Sequence, residues 1–352
     1  MSYHEDVKKE LTLKLRELTK AMPSFARDYF RSIEASSSER TRVGYARDLT
    51  IFFNYLTDTM DNLLGKDIKD ITVEDMRRIT SGDIDEFLDY ISYYYKGNEE
   101  LSNGENGKAR KLAAIRGLFK YLYKRELITA NPAGLVSTPK IHEKNIIKLD
   151  PDETARLLDD VETGDKLTEK QLAYHKSSGT RDLAIMTLLL GTGIRVSECV
   201  GLDIKDIDFN HNGIKITRKG GNEAMVYFGA EVRKALKDYL EERNQIIALP
   251  GHEDALFLSI QKKRLTVRSV EKMVEKYTKG SVSMKHISPH KLRSTYGTSL
   301  YRETGDIYLV ADVLGHKDVN TTRRHYAQLE DQRRREAAKY IHLRTEDENP
   351  QN

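Results

Sequence analysis

Three short strings hold the side chains whose types and spacing could do chemistry. In Leu190-Gly191-Thr192-Gly193-Ile194-Arg195-Val196-Ser197-Glu198 an apolar helix runs into glycines, and a new helix begins at about Arg195 or Val196. A helix N-terminus carries partial positive charge and unpaired N–H groups, so a guanidinium there is unfavourable unless an anion relieves it. That anion is either a bound ligand or the carboxylate of Glu198, one turn on, and the spacing leaves both open. The Gly191-Thr192-Gly193 string is a weak dinucleotide fingerprint, because it follows a helix rather than a strand and lacks the third glycine.

In Ser288-Pro289-His290-Lys291-Leu292-Arg293, Ser288 can cap a helix and Pro289 suits its first position, which puts His290 and Arg293 on one face. Cationic side chains in a first turn again oppose the dipole, and a bound phosphate is the simplest relief. A metal site from His286 and His290 is disfavoured, because Pro289 keeps the intervening residues out of one continuous helix and no third ligand follows at recognisable spacing. In the third string, from Val313 to Tyr326, Gly315 stops a helix and Asn320 can cap the next. His316 is then held at a helix end and Tyr326 is carried just beyond. A tyrosine beside Arg323 and Arg324 is either surface packing or a nucleophile. As a nucleophile, its phenol, with an ordinary pKa of about 10, requires a base or nearby cations to react at neutral pH.

The elements that must position these groups show in the apolar spacing. The first 130 residues are expected to be helical throughout: Val7 to Ala21 and Phe25 to Ile33 on either side of Pro23, then amphipathic helices carrying Ala46, Leu49, Phe53 and Leu56, then Ile84, Phe87, Leu88 and Ile91, then Leu112, Ile115, Phe119 and Leu122. Asn131-Pro132 and the lysine-rich stretch with Pro139 that follows have a linker's composition. The expected division is a helical domain over 1–135, a linker over 136–149, a second domain over 150–341 and a frayed polar tail over 342–352. After helices at Pro151 to Val161 and Arg181 to Leu190, the runs Asp206 to Asn210, Gly213 to Arg218 and Ala224 to Phe228 alternate between turn strings, which predicts a small antiparallel sheet. The fold class is therefore mainly α with a small antiparallel β-sheet.

Composition bounds the function classes. The 352 residues favour two domains, and a single cysteine, Cys199, excludes an internal disulfide scaffold and suits a reducing compartment. No apolar run approaches the roughly 20 residues of a membrane-spanning helix, and Met1 to Asp6 resembles neither a signal nor a transit peptide, so a cytoplasmic location is expected. The net charge of +3 argues only weakly for a polyanionic partner. It is an average over segregated stretches: ten acidic against four basic residues from Asp58 to Asp89, seven basic against two acidic from Gly104 to Glu126, and fourteen basic against six acidic from Gln261 to Tyr326. The cations expected to face a nucleic acid from the first domain are Arg40, Arg42 and Arg47 at the start of one helix and Lys108, Arg110, Lys111, Arg116 and Lys120 along another.

Taken in order, Gly-x-Arg195-x-Ser-Glu, Lys219 in the hairpin turn Thr217-Arg218-Lys219-Gly220-Gly221, His290-x-x-Arg293, Leu-Gly-His316 and Tyr326 form a set that resembles the tyrosine recombinases, most closely their Xer and phage-integrase branch. The resemblance is strongest from about Arg181 to Tyr326, and Tyr326 follows His316 by ten residues where nine is the commoner spacing in the family. It implies a helical, SAM-like core-binding domain before an α+β catalytic domain, and an activity that cleaves and rejoins duplex DNA through a 3′-phosphotyrosyl link and a Holliday junction. It further implies Tyr326 as nucleophile, Arg195 and Arg293 on the non-bridging phosphate oxygens, His290 in acid/base help, His316 bonded to the phosphate and Lys219 as general acid. No metal and no nucleotide cofactor is implied. The partners implied are a duplex recombination site and a tetramer of this chain, or of this chain with a paralogue, joined through the segment Gln328 to Ile341; the alternative for that segment is packing within its own domain. The biological job would be chromosome dimer resolution or mobile-element integration and excision. The competing activities are a type IB topoisomerase-like nicking and closing enzyme and a catalytically silent DNA-binding regulator.

Overall fold

The computed structural model describes residues 3–142, 147–218, 221–282, 285–316 and 318–319, with the backbone alone of Lys96. The chain divides into two units, Met1–Lys144 and Asn145–Asn352. Lys219, Tyr326 and the stretch from Gln328 to Ile341 lie outside the described residues, as does the tail from His342.

The first unit is built from α1 (Tyr3–Lys20), α2 (Ser24–Ser32), α3 (Glu39–Thr59), α4 (Val73–Arg77), α5 (Ser81–Tyr90) and α6 (Glu105–Lys124). Apolar side chains at helical spacing drive it: Ala46, Leu49, Phe53 and Leu56 of α3, Ile84 and Phe87 of α5, and Leu112, Ile115, Phe119 and Leu122 of α6 are all essentially inaccessible to solvent and share one core. The α4 and α5 starts are fixed by reciprocal capping boxes, Thr72 with Asp75 and Thr80 with Asp83.

One expectation fails here, because the segment between α5 and α6 is not helical. It is a two-stranded antiparallel hairpin, β1 (Tyr93–Lys96) and β2 (Glu99–Ser102), with Tyr93 opposite Ser102 and Lys96 opposite Glu99. Three consecutive tyrosines favour an extended strand over a helix, and Gly97, at φ +61°, supplies the left-handed residue that a two-residue hairpin loop requires.

The second unit contains α7 (Pro151–Thr163), α8 (Glu169–His175), α9 (Gly179–Thr192), α10 (Val196–Gly201), β3 (Ile207–Asp208), β4 (Gly213–Thr217), β5 (Glu223–Tyr227), α11 (Ala230–Arg243), α12 (Val267–Ser281), α13 (Pro289–Thr304) and α14 (Ile307–Leu314). Helix α9 is the axis, apolar on almost every side, with α7, α11 and α13 packed on it. At its start Asp182, 1 % exposed, accepts from Arg181 Nη2 at 2.6 Å, Lys276 Nζ at 3.1 Å and the Tyr277 hydroxyl at 2.9 Å, so one buried carboxylate pins α12 to α9. The sheet has the order β3-β4-β5, antiparallel throughout, with Ile214, Ile216 and Val226 turned inward. Ser288 occupies the N-cap position of α13 and Pro289 its first turn, but the serine side chain makes no capping hydrogen bond, which corrects the cap expected from sequence.

The ends of the lysine-rich stretch are each tied into their own unit. Val136 is buried in the first unit's core, where Arg116 donates to its carbonyl, and the Leu149 N–H donates to Thr295 Oγ1 at 3.0 Å in the second.

Candidate active site

The site is assembled around one short helix end. Helix α14 terminates at Gly315, which takes the left-handed conformation (φ +61°) and closes a Schellman-type turn: its N–H donates to Asp312 O at 2.8 Å, and the His316 N–H donates to Ala311 O at 2.9 Å. That turn fixes the backbone of His316, whose side chain is half-buried. The carbonyls of the last turn remain available, and a helix C-terminus carries partial negative charge, so cations are stabilised there.

Three arginines from three segments take those carbonyls. Arg218, at the end of β4, donates to Val313 O at 3.0 Å and Asp312 O at 3.3 Å. Arg293, in the second turn of α13 and almost wholly buried, donates through Nη2 to Leu314 O and through Nη1 to Gly193 O at 2.6 Å. Arg195 approaches Gly315 O through Nη2 at 3.5 Å. Each of the two motif arginines therefore bridges to the segment that carries His316, and Arg293 also holds the glycine turn from which Arg195 starts.

Local sequence explains how Arg195 reaches this place. Gly193 ends α9 with φ +64°, and a Cβ there would meet Tyr296 Cδ1 at 2.3 Å, so both backbone sign and packing against α13 demand glycine. The chain then turns directly into α10 with Arg195 at the N-cap. Of the two anions open on sequence grounds, the structure displays the internal one: buried Glu198 accepts the Arg195 backbone N–H at 2.7 Å and its Nη1 at 2.9 Å. Arg195 keeps 34 % of its side chain exposed. At the head of α13, Arg293 is held by two backbone carbonyls of the protein itself. His290 stands one turn before Arg293, exposed where Arg293 is buried.

Sequence reasoning missed Arg218. The turn string points to the next residue, Lys219, whereas the contacts of Arg218 come from residues more than ninety positions further on, for which no local signal exists. Cys199, one turn beyond Arg195, is wholly buried and burial pushes its thiol up to about 12. Among the described residues no group of three or more His, Cys, Asp or Glu is placed to hold a metal ion, and no helix is long and apolar enough to cross a membrane.

In the first unit, two of the cations expected on the solvent face are buried and a third, Arg116, is half-buried. Arg42 is buried, paired with Glu34 at 3.4 Å and Glu39 at 3.6 Å. Lys111 is buried too, donating to Asn103 Oδ1 at 2.6 Å beside Asp48; burial pushes its ammonium pKa down and pushes the Asp48 carboxyl up, against the pull of Arg110 and Lys111. Arg110 stays exposed while it pairs with Asp48 at 2.7 Å, and half-buried Arg116 donates to Ala133 O, Val136 O and Thr138 Oγ1. The corrections at Arg42, Lys111 and Arg116 have one cause: a cation that falls on the inner side of its helix needs carbonyls or carboxylates for partners. Arg40, Arg47 and Lys120 are exposed and Lys108 is half-exposed.

Comparison with known proteins follows the same lines. Residues 148–333 match the model of the phage integrase family. The chain is 32 % identical over 318 residues to a tyrosine recombinase XerC of Caldanaerobacter subterraneus subsp. tengcongensis, covering 88 % of this chain and 83 % of that one. It is 31 % identical over 341 residues to a tyrosine recombinase XerS of Streptococcus thermophilus, covering 90 % and 95 %. Among solved structures, the XerH site-specific recombinase bound to palindromic difH substrate in a post-cleavage complex aligns with a TM-score of 0.65 at 24 % identity, over 86 % of this chain and 80 % of that one.

Proposed function

The chain belongs to the phage integrase family and is a tyrosine-type site-specific DNA recombinase; from that premise we propose the division of labour at its reacting phosphodiester. Tyr326 Oη attacks phosphorus, the bond to the 5′-oxygen breaks, and the strand is held as a 3′-phosphotyrosyl ester that a 5′-hydroxyl of the partner strand later displaces. Arg195 and Arg293 hold the two non-bridging oxygens as negative charge builds on them, and His316 hydrogen-bonds the same group. His290 takes the phenol proton. Lys219 gives its proton to the leaving 5′-oxygen, which departs as a hydroxyl.

One observation carries this division. Arg195, Arg293 and the backbone that presents His316 converge on a single helix end from positions scattered along more than a hundred residues, joined by hydrogen bonds. Duplex DNA is the substrate, with Arg40, Arg47, Lys108 and Lys120 supplying phosphate contacts from the first unit. Four protomers act on two sites, in a chromosomal or mobile-element role of the Xer kind.

The test is covalent capture. Sheared DNA of the source genome is incubated with the full chain and denatured, and protein-linked fragments are recovered and sequenced. A recurrent fragment end is expected with the natural chain and is lost in Tyr326→Phe. Adducts undiminished in Tyr326→Phe, or none with the natural chain, overturn the assignment. Two marked copies of the captured site then separate strand exchange from nicking and closing.

A further inference from the structure

The hairpin between β4 and β5 is anchored at both backbone and side chain by the same residue. The Arg218 N–H donates to Asn222 O at 2.8 Å, and the Arg218 carbonyl accepts the Gly221 N–H at 3.0 Å, so Arg218 closes the turn in which Lys219 is the next residue. Its guanidinium reaches the end of α14, donating to Asp312 O and Val313 O. It also packs closely against Gly315: a Cβ built there would stand 2.0 Å from Nη1 and 2.5 Å from Cζ. One side chain thus joins the base of the lysine-bearing turn to the helix end whose carbonyls Arg293 and Arg195 also approach, one residue before His316.

Glycines follow Lys219 at positions 220 and 221, and Gly221 adopts φ +85°. A general acid has to stand within hydrogen-bond reach of the leaving oxygen, and a misplacement of about 1 Å costs on the order of a hundredfold in rate. Rigid hairpin strands fix the turn along the sheet, whereas the distance from turn to phosphate depends on what ties the sheet to α14.

We propose that Arg218 is a positioning residue for strand cleavage, holding the hairpin turn against the C-terminus of α14 so that Lys219 meets the 5′-oxygen of the phosphodiester bound by Arg195, Arg293 and His316. This rests on the general-acid assignment of Lys219 made above. In the step concerned, the phenol proton of Tyr326 passes to His290 as the Tyr326–phosphorus bond forms, the phosphorus–O5′ bond breaks, the ammonium proton of Lys219 passes to O5′, and the lysine is left as a neutral amine. Arg218 gives up no proton and touches no reacting atom.

The experiment changes the leaving group. A nicked duplex of the sequence recovered by covalent capture is made in two forms, with the ordinary 5′-oxygen at the scissile bond or with a bridging 5′-sulfur, whose thiolate departs without a proton. Single-turnover adduct formation is followed for the natural chain, Arg218→Ala, Arg218→Lys and Lys219→Ala, with binding to the same duplex and the far-ultraviolet spectrum of each protein as checks on fold. Arg218→Ala is expected to form adduct about a hundredfold more slowly on the oxygen duplex, at close to the natural rate on the sulfur duplex, and with unchanged binding. Arg218→Lys, which keeps one donor for the carbonyls, recovers part of the loss. Equal slowing of Arg218→Ala on both duplexes, or no slowing on the oxygen duplex, overturns the inference. The general-acid assignment fails separately, if Lys219→Ala is not rescued by sulfur. Should Arg218→Ala be misfolded, Arg218→Lys carries the decision, since rescue of its residual defect by sulfur is expected and equal slowing on both duplexes refutes the proposal.

Discussion

Replacing Glu198 with glutamine perturbs the hold on Arg195, and the size of the effect follows from two bonds. The carboxylate is 3 % exposed, accepting the Arg195 N–H at Oε2 and Nη1 at Oε1. An amide can keep the first bond through its oxygen, but then turns its NH2 toward Nη1, so a charge-assisted bond becomes a contact between two donors. Such a bond contributes about 1.5–3 kcal/mol. Because the guanidinium is 34 % exposed, water recovers part of that, leaving a loss of about 1–2 kcal/mol. Glu198→Ala also removes the acceptor for the N-cap N–H and loses about 1 kcal/mol more. In the reaction, an untethered Arg195 spreads over several rotamers and has to be reordered on the phosphate, which slows cleavage by about tenfold. The assay is a double-mutant cycle: urea denaturation of the natural chain, Arg195→Met, Glu198→Gln and the pair, with adduct formation by Glu198→Gln measured on the captured duplex. A coupling of about 1–2 kcal/mol between the positions is expected. Additive effects in the cycle, together with natural-rate cleavage by Glu198→Gln, would refute the reasoning.

Asp182→Ala strands Arg181, Lys276 and the Tyr277 hydroxyl around a lost carboxylate, so the second unit should lose about 3–5 kcal/mol; a urea midpoint barely moved would show that the network does not pin α12 to α9. Cys199, with its thiol pushed up to about 12 by complete burial, should react with a thiol reagent only as fast as the second unit opens; rapid labelling of the folded chain at neutral pH would contradict that. At the head of α4, burial pushes the Asp75 carboxyl up, but bonds from the Thr72 N–H and hydroxyl and from Lys66 outweigh it and hold the group below its ordinary value. Its stabilising contribution is complete above the unfolded pKa of about 3.9 and is lost as the pH falls through the lower folded value. The stability gap between the natural chain and Asp75→Ala should therefore narrow from about pH 6 to about pH 3, and a gap that stays constant in denaturant melts would contradict the sign.

Where local chemistry decides, the chain was legible. The helical spacings of Leu49 and Phe53, or of Ile115 and Phe119, led directly to buried faces, because a face that repeats every three to four residues can be buried by any apolar partner. The β4–β5 hairpin and the glycine ends of α9 and α14 were equally visible, since only glycine tolerates the left-handed turn at Gly193 and Gly315. The hairpin at Tyr93–Ser102 was not foreseen, because four-residue strands are too short for periodicity to outweigh helical neighbours on both sides.

Charge was the least legible property, for a physical reason. A lysine or arginine is the same letter whether it faces water, a carboxylate or a helix end, and only the approach of distant segments chooses. Arg42 and Lys111 looked like surface cations and are buried; Arg218 looked like a bystander and reaches the end of α14. By itself the sequence determined the family, the helical faces and which residue types were present to handle a phosphodiester. The tertiary structure alone decided that Arg195, Arg218 and Arg293 meet at one helix C-terminus, because the open carbonyls that draw them together belong to a backbone some twenty to a hundred and twenty residues away.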